Sequence, residues 1–335
     1  MKSRIKSKNA IFWRNKSFMA KRNILKKIII IAAIIVVTAG HASALTPEEE
    51  TRLLIDSAVP EFSGKMPLAQ PLQWKAIEIE IGSKALRGNG KLSIYLPPGY
   101  HSSKIKYPVV YFLHGMGDNN MTWLGGQQEM DRITTLMIEK GEIIPMILVV
   151  PNGEKGLWSN FFDKSILYED WVVKELVSYV EKNYRIKKGR RSRVIMGVSM
   201  GGFGALKIGM RHPGLFGCVC AISPALPPPI MPMSYGTLLN QIYGSSENQD
   251  YYRANHPFWI AKENPEKIKN IKFIIKCGIS DGLYASVNNF VEFMKETGLN
   301  PEWQSYPDRG HDVYLFRKAS VDGLRQISEY FVTGK

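Results

Sequence analysis

Cysteine is scarce: three in 335 residues, Cys218, Cys220 and Cys277. An odd count cannot pair completely within one chain, and no spacing among the three resembles a zinc site. Cys218 and Cys220 alternate in a strand-like run and so point to one face. All three read as small buried apolar residues, because a core of this size needs no disulfide staples. Acidic residues are missing altogether from residues 1–44, which hold ten Lys and Arg. Setting those ten aside leaves only +4 of the formal +14, and no basic block remains that could track a phosphate backbone. No nucleic-acid partner is expected. Internal repeats, low-complexity linkers and metal-ligand clusters are also lacking, and no cofactor is expected.

The acid-free N-terminus has an order of its own. A basic stretch ends at Lys26-Lys27, an uncharged apolar run covers residues 28–37, and small residues follow up to Ala42-Ser43-Ala44. Basic, apolar, then small is the layout of a secretory signal peptide, with cleavage expected after Ala44. Its basic part is long, which leaves Met19 open as the start of translation. The apolar run is shorter than the roughly 20 residues that a membrane span needs. The expectation is a signal peptide over residues 1–44, one domain over 45–335, no stable membrane anchor after cleavage, and a secreted or periplasmic location.

From about residue 75 the chain alternates between strands and helices. Residues 74–81 and 91–96 alternate polar with apolar, as half-buried strands do. Residues 107–113, 146–150, 193–198, 218–222 and 271–277 are nearly continuous apolar runs, which suit strands buried on both faces of a parallel sheet. Between them lie helical stripes: Met130, Ile133 and Met137; Val172, Leu176 and Val180; Leu283, Val287, Phe290 and Met294; Val321, Leu324, Ile327 and Phe331. The pattern predicts an α/β fold, a mostly parallel central sheet with helices on both faces. Residues 223–269, rich in Pro, Tyr and Asn, break the rhythm and read as an insertion over the site. Ligands of such sheets sit beyond the carboxyl ends of the strands.

The chemistry is concentrated in Gly197-Val198-Ser199-Met200-Gly201. It directly follows an apolar run and directly precedes the helix-competent residues 203–210. Strand, tight turn and helix are the context of a nucleophile elbow, whose glycines keep side chains out of a strained turn. The alternative is a glycine-rich turn that packs a helix closely on the sheet.

A serine hydroxyl needs a base. In this layout the base follows the serine in the chain, which sets aside His41, His101 and His114. His212, in Arg211-His212-Pro213, reads as a helix terminus. His311, in a loop between a strand-like run ending near Tyr306 and the last helix, is the expected base; His256 is the reserve. For the carboxylate that orients it, Asp281 follows the 271–277 run by one short turn. Asp308 and Asp312 stay open as partners, and so does a plain capping role for Asp281. Oxyanion donors are expected at the backbone N–H of Met200 and of Met116, with Gly115 the alternative to Met116. His114 reads as a hydrogen-bonded structural residue. Trp123, Trp158 and Phe161 lie in loops after sheet strands; they either line an acyl or aromatic pocket or pack beneath the loops.

These landmarks, taken in order, resemble a known group. They are Tyr95-Leu96-Pro97-Pro98-Gly99-Tyr100, Tyr107-Pro108-Val109-Val110-Tyr111, His114-Gly115-Met116-Gly117, Pro151-Asn152-Gly153, Gly197-Val198-Ser199-Met200-Gly201-Gly202, Cys277-Gly278-Ile279-Ser280-Asp281 and Gly310-His311-Asp312. The set is similar to the esterase D-like family of α/β-hydrolases, which includes feruloyl esterases, S-formylglutathione hydrolases and mycolyltransferases, over about residues 92–331. The resemblance implies an α/β-hydrolase fold, a Ser199–Asp281–His311 triad, and a small-molecule or carbohydrate-linked ester as substrate, with the feruloyl and acetyl-xylan esterase-like enzymes the most similar. Met116-Gly117-Asp118 stands where many relatives carry more glycines, which leaves the second oxyanion donor open. An acyltransferase that passes the acyl group to a sugar hydroxyl, and a binding module on the same scaffold, are the competing readings.

Overall fold

The computed structural model describes residues 76–230 and 236–334. The expected signal peptide and residues 45–75 lie outside the described residues. Eight strands form one sheet: β1 (Ile77–Ser83), β2 (Gly88–Tyr95), β3 (Val109–Leu113), β4 (Ile147–Pro151), β5 (Arg193–Val198), β6 (Cys218–Ile222), β7 (Lys272–Gly278) and β8 (Glu302–Tyr306). Their spatial order is β1-β2-β4-β3-β5-β6-β7-β8. β2 runs antiparallel to β1 and β4, and all later pairings are parallel. The burial follows the sequence pattern: β3, β4, β5 and β6 are buried at every residue, while β1 alternates. β1 is Ile77–Ser83, residues 74 and 75 of the expected strand lying outside the described residues, and β2 begins three residues early at Gly88, because the two strands pair from Ile77↔Ile94 out to Ser83↔Gly88.

Two short helices follow on this frame, α1 (Asn120–Trp123) and α2 (Met130–Glu139). A third, α3 (Tyr168–Asp170), passes through a π-helical segment (Trp171–Leu176) into α4 (Val177–Asn183). The elbow helix is α5 (Met200–Arg211), which starts directly after Ser199. The insertion holds α6 (Gly236–Tyr243), α7 (Gln249–Ala254), α8 (Pro257–Glu263) and α9 (Pro265–Ile268). The last two are α10 (Tyr284–Glu296) and α11 (Val313–Thr333).

Two glycines show that helices cover both faces of the sheet. A Cβ on Gly209 of α5 would meet Val219 at 2.3 Å and Ile195 at 3.3 Å, whereas one on Gly323 of α11 would meet Cys220 Sγ at 3.0 Å and Met196 at 3.5 Å. Val219 and Cys220 are adjacent on β6, as Ile195 and Met196 are on β5, and adjacent strand residues face opposite sides. Helices α5 and α11 therefore sandwich the sheet. Cys218 and Cys220 share the α11 face; all three cysteines are free and buried. Burial pushes the Cys220 and Cys277 thiols up to about 12, so they pack as small apolar groups.

The strand order places the site. After β3 the chain adds β4 on one side and then returns to add β5 on the other, so the loops after β3 and β5 lie side by side. Leu113 pairs with Gly197 at the last rung, which brings His114-Gly115 against Val198-Ser199.

Candidate active site

Ser199 stands at φ 53°, ψ −117°, a conformation costly for any residue with a side chain, by roughly 1–3 kcal/mol. The surroundings over-determine it. Its N–H donates to Ile222 O at 2.9 Å, and its carbonyl accepts from Phe203 N–H and Ala225 N–H, both at 3.0 Å. The flanking glycines are obligatory. A Cβ on Gly197 would lie 2.3 Å from Gly201 O, and one on Gly201 would lie 1.9 Å from Leu113 O, inside any allowed contact. The strand-turn-helix expectation is met, with α5 starting directly after Ser199 and including residues 203–210.

The loops after β7 and β8 are fastened together. Ile279 N–H donates to Tyr306 O and Ser280 N–H to Arg309 O, each at 2.9 Å, and a side chain on Gly278 would collide with Arg309 O. This carries His311 over the end of β7. Its Nδ1 lies 2.8 Å from Asp281 Oδ2, and its Nε2 lies 2.9 Å from Ser199 Oγ. The Asp281 side chain is 0 % exposed and that of His311 is 36 % exposed, so the pair is anchored below and open to solvent above. The second oxygen of Asp281 accepts Leu283 N–H at 2.8 Å, just ahead of α10. Asp281 therefore does not cap α10, whose N-cap Leu283 has no side-chain cap bond; it braces the turn before the helix with one oxygen and meets His311 with the other.

The other candidates fall elsewhere. Asp312 is the N-cap of α11 and accepts Leu315 N–H at 2.8 Å. Asp308 sits in the turn after β8 at φ 56°. His256 is buried as the N-cap of α8, with Nδ1 accepting Phe258 N–H and Nε2 donating to Pro227 O. His114 is buried, with Nδ1 donating to Gly115 O at 2.8 Å and Nε2 accepting Gly153 N–H at 3.0 Å; burial lowers its pKa. His212 caps the C-terminus of α5.

Met200 N–H occupies the first position of α5, where a helix leaves backbone donors unpaired. In the loop after β3, Asp118 N–H donates to Gly115 O at 3.2 Å, and a Cβ on Gly115 would lie 3.6 Å from that of Ser199. The turn that carries the Gly115 and Met116 amides therefore packs directly against the serine.

A cavity of about 430 Å³ opens beside this turn, walled by Met116, Leu157, Phe203, Leu226, Leu239 and Tyr243 among others. Residues from the insertion form one side, as expected of a segment over the site. The three aromatic residues singled out by sequence are not in its lining. Trp123 is buried against Phe112 with its indole N–H on Asp118, and Trp158 is buried with its N–H on His114 O. Phe161 packs on the cluster of Ile242, Tyr243 and Tyr252. All three support the loops from beneath. The walls went unread because they come from segments far apart in sequence; on the insertion side, the spacing of Leu238, Leu239, Ile242 and Tyr243 was the available signal.

Beneath the site lies a buried ion cluster that sequence reading also missed. Lys207 of α5 is 0 % exposed, and its Nζ donates to Trp158 O and Ser159 Oγ, both at 2.7 Å, and faces Glu169 at 3.2 Å. Glu169 also meets Arg211 and His212, each at 2.8 Å. Burial pulls Lys207 down to about 8 against the attraction of Glu169. Burial alone would raise the Glu169 carboxyl, but Lys207, His212 and Arg211 together hold it well below the usual carboxylate range. The one available signal was a lysine in an otherwise apolar stretch of the elbow helix. Among the described residues no group of three or more His, Cys, Asp or Glu is arranged to hold a metal.

Known proteins share this frame. The chain is 23 % identical to an acetyl esterase of Caldicellulosiruptor saccharolyticus over 280 residues, 76 % of this chain and 98 % of that one. It is 26 % identical to an endo-1,4-beta-xylanase/feruloyl esterase of Xylanibacter ruminicola over 68 % of this chain but only 27 % of that longer protein. Among solved structures, a ferulic acid esterase superposes with a TM-score of 0.66 at 26 % identity, covering 76 % of this chain and 98 % of that one. An S-formylglutathione hydrolase from Staphylococcus aureus superposes with a TM-score of 0.63 at 18 % identity, over 76 % and 98 %. The sheet is thus that of the α/β-hydrolase esterases. The family model described as "Putative esterase" matches residues 83–320, and the chain belongs to that family of ester hydrolases.

Proposed function

We propose that this chain is an exported serine esterase that works through an acyl-enzyme on feruloyl or acetyl esters of carbohydrates. The observation that carries the reading is the hydrogen-bonded row Asp281–His311–Ser199, at 2.8 and 2.9 Å, on a strained elbow. His311 Nε2 takes the proton of Ser199 Oγ as that oxygen attacks the ester carbonyl carbon. Asp281 holds Nδ1–H, fixing the tautomer and stabilising the imidazolium. The carbonyl oxygen gains the negative charge and is met by Met200 N–H and by Met116 N–H, with Gly115 as the alternative second donor. The intermediate then collapses; the C–O bond to the alcohol breaks, and the leaving oxygen takes the proton from His311. Water repeats the sequence on the acyl-enzyme and releases the acid. The partial exposure of His311 lets that water reach its ring.

The carbohydrate-ester part rests on the acetyl esterase and feruloyl esterase relatives, and export rests on the order of residues in 1–44. The decisive experiment combines fluorophosphonate labelling with a panel of ester substrates. Ser199 is expected to carry the label, and Ser199→Ala to lose turnover by on the order of 10⁶. More than a few per cent of wild-type hydrolysis in that variant would sink the assignment. Exported protein should begin at Leu45 on N-terminal sequencing; a membrane-retained chain that keeps residues 28–37 would show an anchor instead.

A further inference from the structure

On leaving β6 the chain enters the insertion and runs at once through Pro227-Pro228-Pro229. Prolines have no N–H to give, so neither sheet nor helix bonding can hold such a strap in place. It is held instead by its carbonyls, each on a different side chain. His256 Nε2 donates to Pro227 O at 2.9 Å, Tyr252 OH to Pro228 O at 2.6 Å, and Trp259 Nε1 to Pro229 O at 2.6 Å. The three donors come from one stretch of eight residues, from α7 through the N-cap of α8 into that helix.

The donors are themselves fixed. Nδ1 of His256 accepts Phe258 N–H at 3.2 Å, so only Nε2 can donate, and burial lowers its pKa to about 4, which keeps the ring neutral. Tyr252 lies edge-on to Tyr243 at 5.1 Å and tilted against His256 at 5.4 Å. Arg253 and Lys262 flank the Trp259 ring at 4.7 and 4.9 Å.

This assembly is a wall of the cavity beside Ser199, since Pro227 and Tyr252 both line it, as does Phe203, whose ring faces His256. The hydroxyls in the lining have partners of their own: Tyr252 on Pro228 O and Tyr243 on Ser159 Oγ. The rest of the lining is apolar. A cavity of about 430 Å³ belongs to the size class of whole small-molecule sites, and an acetyl group would leave most of it unfilled. We propose that Tyr252, His256 and Trp259 clamp the proline strap as a fixed wall, and that the cavity it bounds selects an apolar acyl group larger than acetyl. This rests on Ser199 being the nucleophile. The three are positioning residues for specificity.

The test is a series of p-nitrophenyl esters, acetate, butyrate, hexanoate and octanoate, run on the wild type, His256→Ala, His256→Gln and Trp259→Phe. Filling apolar space is worth about fourfold in kcat/KM per methylene, so hexanoate should exceed acetate by more than tenfold in the wild type. In Trp259→Phe and His256→Ala that ratio should fall at least fivefold, with acetate turnover losing less than hexanoate turnover. His256→Gln, whose amide can still donate, should recover most of the preference. A wild type that favours acetate, or variants that lose both substrates equally, would overturn the proposal. Should His256→Ala fail to fold, Trp259→Phe, which keeps an aromatic ring but loses the N–H donor and the five-membered part of the indole, decides alone. Fluorophosphonate labelling of Ser199 in the same samples reports separately on the nucleophile. If labelling fails, calorimetric binding of hexanoate against acetate to the same variants judges the clamp, with tighter hexanoate binding expected in the wild type only.

Discussion

Asp281 and His311 are 30 residues apart in the chain and 2.8 Å apart in space, and Asp312, the nearest carboxylate to the histidine in sequence, faces the other way onto the first turn of α11. Neighbours in a tight loop compete for backbone donors, whereas an acid from the adjacent strand end meets Nδ1 and leaves Nε2 free. Asp281→Asn should keep the shape but support the wrong tautomer, lowering kcat by about 10⁴. Asp312→Asn should leave kcat within a few fold and change stability by less than about 1 kcal/mol, since Asn also caps helices. Steady-state kinetics and urea unfolding of the two variants check this; a collapse in Asp312→Asn with Asp281→Asn unharmed would reverse the roles.

Glu169 is the shared acceptor of Lys207, Arg211 and His212. Glu169→Gln leaves the fully buried Lys207 ammonium without a counter-charge, and removing one partner of a buried pair costs about 3–5 kcal/mol. The double variant Glu169→Gln/Lys207→Met should regain a large part of that loss, because the two sites are coupled. Unfolding midpoints of the single and double variants read the coupling. Additive losses would mean that Lys207 is held by Trp158 O and Ser159 Oγ alone.

Stability should depend on pH through His256. Its folded pKa of about 4 lies below the ordinary 6.5, so the fold favours the neutral ring. That contribution is complete above about pH 6.5 and is lost as the pH falls towards 4, with a size on the order of 3 kcal/mol. Between pH 7 and 4.5 the thermal midpoint of the wild type should drop further than that of His256→Gln. Equal drops would show that carboxylates alone govern the acid limb.

Chelation should leave turnover unchanged, because acyl transfer through a serine needs no metal. The check is an assay before and after dialysis against EDTA. A loss that zinc or calcium specifically restores would show metal dependence.

Much of this molecule was determined by local rules that act along the chain. Continuous apolar runs suited strands of a covered sheet, and Gly197 and Gly201 around Ser199 suited a turn with no room for side chains, and the structure has both. His311 was singled out by its place after the last sheet strand. Tertiary structure decided the rest. The pairing of His311 with Asp281 rather than with Asp308 or Asp312 depends on how the loops after β7 and β8 are fastened together, which no periodicity records. Trp123, Trp158 and Phe161 had the composition of pocket walls and became supports, because their loops fold beneath the rim. The cavity itself is walled by segments far apart in sequence, Met116, Leu157, Phe203 and the insertion, and its polyproline strap is held by donors more than twenty residues further on. Backbone geometry dictates what neighbours in sequence must do, but packing alone decides which distant residues meet.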